Sequence, residues 1–272
     1  MRTLVHLSDL HFGRIDEALI GPLTAQIERL QPDVVVVSGD LTQRARTGQF
    51  QAARRFLDTL AAPQIIVPGN HDIPLHNVLS RFVQPLQKYR RHITQDLEPF
   101  YGDAEIAVIG VNTARSLTFK NGRINASQID CISRRMSGLP GSVVKIVVTH
   151  HPFDLPLHLG AQDLVGRADA AMGVFARCRI DLLLAGHLHA SHADNTSERY
   201  RFGDYSAVAI QAGTATSTRG RGESNSFNII RVNSGHIAVD RMGWQSRSAS
   251  FERVTTESFA RTAGGWAKTE AP

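Results

Sequence analysis

The stretch "LLLAGHLHAS", Leu182 to Ser191, ends a run of leucines with a glycine and then two histidines one residue apart. Such a run reads as a buried strand leaving the core at Gly186. The two-residue period of an extended chain sends His187 and His189 to one side. One His-x-His pair identifies nothing by itself. Its weight depends on what stands at the ends of the other strands.

Five more runs have strand length and are rich in valine, isoleucine and leucine: "TLVHLS" from Thr3, "DVVVVSG" from Asp33, "QIIVPG" from Gln64, "IAVIGV" from Ile106 and "VVKIVVTH" from Val143. Between the first three lie "EALIGPLTAQIERL" and "TGQFQAARRFLDTL", helical in length and period. This alternation predicts a layered α/β core. After Ser206 the shorter runs "YSAVAIQAG", "NSFNIIRVNSG" and "HIAVDRMG" are joined by Gly, Asn and Ser turns, which suits a second sheet or an antiparallel extension of the first. Asp72 to Phe100 is too long for a plain loop and is expected to carry a helix and to wall a site. Residues 1–240 read as one domain. Residues 241–272, polar but dotted with Trp244, Phe251, Phe259 and Trp266, read as a C-terminal arm or a partly disordered tail.

The bulk composition narrows the class. The chain has 272 residues, of which 42% are hydrophobic and 20% charged, enough apolar content for a sizeable core and against wholesale disorder. Cys131 and Cys178 make no disulfide framework and no Cys-x-x-Cys unit. The start "MRTLVHLSDLHFG" meets Asp9 too early for a secretory segment, and no stretch approaches 18 apolar residues, so a cytoplasmic protein is expected, with peripheral membrane contact left open. A net charge of +5 favours anionic partners, but without a basic block or nucleic-acid motif it predicts no specific nucleic acid. The oligomeric state is left open, a homodimer included.

The strand ends share a pattern. The first gives "SDLHFG" with Asp9 and His11, the second "SGDLTQ" with Asp40, and the third "PGNHDIP" with Asn70, His71 and Asp72. "VTHHPFDLP" brings His150 and His151, and "AGHLHAS" closes the set. Ligands of open α/β sheets gather beyond the carboxyl ends of the strands, so these ends point to one crevice. Nitrogen and oxygen donors without thiolates suit Mn2+, Fe2+, Zn2+, Co2+ or Ni2+ better than a purely oxygen-liking ion such as Ca2+, with Mn2+ or Fe2+ the expected choice. Seven donors (Asp9, His11, Asp40, Asn70, His150, His187 and His189) exceed one tetrahedral ion and fit two divalent metal ions roughly 3.5 to 4 Å apart if one carboxylate bridges.

"DLH", "GD", "GNHD", "HH" and "GHLH", in that order over about residues 1 to 240, resemble the calcineurin-like metallophosphoesterases, and in particular their class III cyclic-nucleotide and glycerophosphodiester phosphodiesterase branch. The resemblance implies a four-layer αββα sandwich. It also implies that Asp9, His11 and His189 hold one ion, that Asn70, His150 and His187 hold the other, and that Asp40 bridges. It implies a catalytic role for His71 near the leaving group, with Asp72 beside it as an orienting carboxylate. Asn112 in "GVNTARS" stands where relatives commonly have Asp, at a position that is not a metal position.

The activity implied is hydrolysis of a small anionic phosphodiester by metal-activated hydroxide. The alternatives are a phospholipase C-like enzyme acting on headgroups, a phosphomonoesterase, and a catalytically silent binding module. Candidate substrate contacts are Arg44 and, in a glycine-rich loop, Arg219 and Arg221. Phe12, Phe153 and Leu155 are candidates either for an apolar wall, facing a base or a lipid, or for lid packing.

Overall fold

A computed structural model describes residues 1–75, 78–118, 121–156, 160–218 and 223–270. The amino-terminal half alternates strand and helix: β1 (Arg2–Leu7), α1 (Ile20–Leu30), β2 (Val34–Val37), α2 (Thr47–Asp58) and β3 (Gln64–Ile66). Two short helices, α3 (Val78–Val83) and α4 (Gln87–His92), follow β3. Next come β4 (Phe100–Gly102), β5 (Ile106–Gly110), α5 (Ala126–Met136), β6 (Val144–Val148), α6 (Ala168–Cys178) and β7 (Leu182–Ala185). The rest is β8 (His192–Asn195), β9 (Val208–Gln211), β10 (Ser226–Val232), β11 (His236–Gln245), β12 (Ser250–Thr262) and β13 (Gly265–Thr269).

Among the described residues the strands form two sheets, ordered β13-β12-β11-β10-β1-β2-β3 and β4-β5-β6-β7-β9-β8. Alternation along each strand explains the layers. Val35 and Val37 of β2 face one core with Leu23 and Ile27 of α1 and Phe50 and Phe56 of α2. Val34 and Val36 face the other way and meet Val108, Ile146 and Leu184 of the second sheet. Ile109, Val147 and Leu183 in turn pack beneath α5 and α6, against Ile132 and Phe175. A strand buried on both faces needs an unbroken apolar sequence, which is why "VVVV" is not diluted by polar residues. The result is the expected αββα sandwich.

Strands β1, β2 and β3 are parallel, as are β5, β6, β7 and β9, so the carboxyl ends within each set share an edge. After Ser206, β9 completes the second sheet, while β10 and β11 extend the first by antiparallel pairing.

The C-terminal segment departs from expectation. The boundary placed at 240 falls inside β11, and β12 and β13 continue the first sheet as ordered strands. Phe259 and Trp266 enter the core between the sheets, and Phe251 packs on Phe227. Trp266 Nε1 and Arg261 both donate to Asp181 Oδ1 just before β7, at 2.9 and 2.7 Å, which fastens the last hairpin to the second sheet. Phe12, Phe153 and Leu155 are likewise buried, Phe12 against Phe56 and Phe153 against Phe175, and serve packing rather than a pocket wall. The expected helix in 72–100 is present as the pair α3 and α4.

Candidate metal centre

The loops after β1, β2, β3, β6 and β7 bring Asp9, His11, Asp40, Asn70, His150, His187 and His189 to one place. Asp9 Oδ1 lies 3.3 Å from His189 Nε2 and 3.5 Å from His11 Nε2. The other oxygen of Asp9 accepts from Ser8 Oγ at 2.6 Å and from the His187 backbone N–H at 3.0 Å. These two donors hold the carboxylate so that Oδ1 faces the imidazoles. Asn70 Oδ1 lies 3.1 Å from both His150 Nε2 and His187 Nδ1, which are 3.3 Å apart. Asp40 reaches both groups, with Oδ1 3.5 Å from His150 and Oδ2 3.8 Å from His11.

The donor chemistry fits metal ions. His150 Nδ1 donates to the Ser38 carbonyl at 2.7 Å, and a carbonyl only accepts, so the lone pair of the neutral ring is on Nε2. That nitrogen is directed at acceptor oxygens of Asn70 and Asp40. Acceptors facing acceptors in a buried site require a cation or a proton between them. Asp9 Oδ1, buried and accepting no hydrogen bond, has the same need. Without a metal the proton does this: burial disfavours the His150 imidazolium, but the Asp40 carboxylate outweighs it and raises the pKa to about 9. Burial alone would raise Asp40 and Asp9, but the histidines around them hold both below the usual carboxylate range. His187, buried and facing His150, is lowered to about 3.

The backbone is bent to make this arrangement. Asp9, His11, Asp40, His187 and His189 all have left-handed φ, from 52° to 75°. Such conformations cost on the order of 1–3 kcal/mol each in non-glycine residues, so neighbouring contacts must hold them. Asp9 N bonds Gly39 O at 3.1 Å and His11 N bonds Asp40 O at 2.9 Å, which lock the first two loops together. Glycines permit the close approach. A Cβ on Gly186 would stand 1.8 Å from Ser8 Oγ and 2.7 Å from Asp9 Oδ2, and one on Gly69 would stand 2.1 Å from Asp40 Oδ1. This answers why a glycine interrupts the leucine run before His187.

His71 sits at the edge of the cluster, its ring 4.9 Å from and edge-on to that of His11. Its backbone N–H donates to Asp40 Oδ1 at 2.8 Å, and its Nδ1 donates to Gln43 O at 3.0 Å. His11, Asp40 and His71 also lie close enough to share an ion. Asp72 does not do what was expected. It is buried beneath the turn and accepts from Leu41 N, Thr42 N, Thr42 Oγ1 and Gly69 N at 2.9–3.1 Å, while Gln43 O orients the His71 ring. Burial, then the nearby Asp40 charge, raises Asp72 to about 6. His151 packs its ring 4.7 Å from His187 and pairs Nδ1 with Thr113 Oγ1 at 2.8 Å.

A pocket of about 140 Å3 opens over Asn70 and His71, bordered by Arg44, Ile73, Leu75 and Arg81. Arg44 therefore stands at the mouth. Arg81, which no sequence signal separates from its neighbours Arg90 and Arg91, also reaches the pocket. Arg219 and Arg221 lie outside the described residues. Asn112 turns its side chain to the Ala114 N–H at 2.9 Å, a local loop contact.

The family model for calcineurin-like phosphoesterases matches residues 2–191. The chain belongs to this family. The matched region takes in every residue of the cluster. Among curated relatives, the glycerophosphodiester phosphodiesterase GpdQ of Enterobacter lignolyticus is 38% identical over 80 residues, 25% of this chain and 29% of that relative's length. The 3',5'-cyclic adenosine monophosphate phosphodiesterase CpdA of Escherichia coli K12 is 25% identical over 205 residues, 68% of this chain and 69% of the relative. Relatives of these two kinds are consistent with the class III branch. A dimetal phosphatase from Danio rerio shares the fold, with a TM-score of 0.64 at 14% identity over 94% of this chain and 98% of that one.

Proposed function

We propose that the protein is a dinuclear-metal phosphodiesterase for a small anionic diester of the cyclic-nucleotide or glycerophosphodiester type. The observation that carries this reading is Asp40, whose two oxygens face the two halves of one buried cluster. Asp9, His11 and His189 would hold one ion, Asn70, His150 and His187 the other, with Asp40 placed to serve both. Mixed imidazole and carboxylate donors accept Mn2+ or Fe2+, the expected ions, as well as Zn2+, Co2+ or Ni2+. Two such ions supply Lewis-acid polarisation of the phosphate and an acidified water as nucleophile.

The chain's own residues do the rest. Asp9 and Asp40 neutralise only part of the charge two divalent ions bring, so the centre stays attractive to a phosphodiester anion. Gln43 O fixes the His71 ring with Nδ1 protonated, and the ring faces the mouth to steady or protonate the departing alkoxide. Arg44 and Arg81 line the pocket where the non-reacting part of the substrate enters. The named activities of the curated relatives support a diester. Free, buried Cys131 and Cys178 suit a cytoplasmic location.

Turnover of bis(p-nitrophenyl) phosphate by the Mn-loaded protein tests the reading. Metal-stimulated hydrolysis is expected, whereas two bound ions with no turnover over a wide pH range would leave a binding module on the same fold. The headgroup-cleaving alternative draws support from Leu75, 39% exposed at the mouth. Comparing cyclic nucleotides, glycerophosphodiesters and mixed-micelle phospholipid on one metal-loaded sample separates the two.

A further inference from the structure

Of the C-terminal aromatics, Phe251, Phe259 and Trp266 are buried and the half-buried Trp244 packs on Phe251, so they form no apolar face for a membrane; a different surface does. On α3, Leu79, Phe82 and Val83 are 75%, 51% and 65% exposed and stand at i, i+3 and i+4, one side of the helix. Leu117, 83% exposed, follows Ser116, whose carbonyl accepts from Arg81 Nε of α3 at 2.8 Å. Apolar side chains grouped in this way, rather than scattered singly, mark an interaction surface.

The neighbouring charge says what kind. Val83 runs directly into Gln84 and Leu117 follows Ser116, and Gln84 and Ser116 both line a cavity of about 790 Å3. Leu86 and Leu97 give that cavity an apolar side, and Arg90, Arg91 and Arg115 a cationic one. Among the described residues none of these arginines is in an ion pair. Arg115 is held by Asn112 O, Ala114 O and Gln128 Oε1, and Asp96 and Glu98 border an adjoining cavity without pairing to them. Protruding apolar residues beside an arginine-lined cavity complement a bilayer interface, with hydrocarbon under α3 and phosphate at α4.

We propose that α3, α4 and the Leu117 turn form a docking face for bilayers containing anionic phospholipid. Arg81 and Leu75 link this face to the mouth at His71, so docking brings the site to the membrane surface. The proposal does not depend on which diester is cleaved.

Sedimentation of the full metal-loaded chain with vesicles tests it. Binding is expected with phosphatidylglycerol mixed into phosphatidylcholine and not with phosphatidylcholine alone. Leu79→Ser with Phe82→Ser, and separately Arg90→Gln with Arg91→Gln, are expected to weaken partitioning by roughly tenfold or more, while Val254→Ser on β12 does not. Turnover of bis(p-nitrophenyl) phosphate without vesicles stays unchanged in all three, which separates failure of docking from failure of the enzyme reading. Hydrogen exchange on the unsubstituted protein gives a second readout, with residues 79–92 protected on phosphatidylglycerol vesicles. Equal sedimentation with both vesicle types, wild-type binding by either double variant, or displacement by glycerol 3-phosphate would overturn the proposal, the last pointing to a site for free phosphate.

Discussion

His150 turns its Nε2 to within 3.5 Å of Asp40 Oδ1, while its Nδ1 is held by Ser38 O at 2.7 Å. The pair therefore binds a proton when no metal is present. At neutral pH metal loading must displace it, so loading the metal-free protein is expected to release protons. Affinity should fall about tenfold per pH unit below about 9 from this group alone. Calorimetry in buffers of different ionisation enthalpy measures the release; a pH-independent affinity between 7 and 9 would contradict it. In the metal-free protein the raised pKa gives stability fully present below the ordinary 6.5 and lost as pH climbs through about 9.

Asp40→Asn is expected to lower the content of both ions, because one carboxylate serves both groups. Asn70→Ala should mainly weaken the ion shared with His150 and His187. Metal content per chain by mass spectrometry distinguishes them, and two tightly held ions in the Asp40 variant would refute the bridge.

Replacing His71 by Ala should leave two ions bound and cut turnover by about 100- to 10,000-fold, with larger losses for alkoxide than for nitrophenolate leaving groups. Loss of an ion would instead make His71 a ligand.

Asp72→Ala behaves differently because three backbone N–H groups lose their acceptor. A thermal-stability loss on the order of 3 kcal/mol is expected, without dependence on leaving group. A leaving-group effect matching that of the His71 variant, at unchanged melting temperature, would restore Asp72 as the orienting carboxylate.

Gly186→Ala places a methyl 1.8 Å from Ser8 Oγ and breaks the hold on Asp9. Weaker binding of the first ion is expected, whereas Gly138→Ala, with nothing within 4 Å of its Cβ, should bind metal normally. Metal titration of both variants gives the comparison.

Much of this molecule is written locally. Unbroken apolar runs such as Val34–Val37 specify strands buried on both faces, and their polar ends, "GD", "GNHD" and "GHLH", name the cluster, because strand period and chain direction are local properties. Pairing is not local. Gln43 O, rather than the adjacent Asp72, orients His71, and Arg81 reaches the mouth while Arg90 and Arg91 do not. Neither choice is visible until loops from separate strands meet. β12 shows the same limit: its middle, Glu252–Thr255, is exposed, so the apolar pattern is thin, and what holds it in the sheet is backbone hydrogen bonding to β11, which leaves little mark on side-chain sequence. The sequence determined which donors gather and at which ends; the tertiary structure alone decided which atoms face one another, because that depends on contacts between residues far apart in the chain.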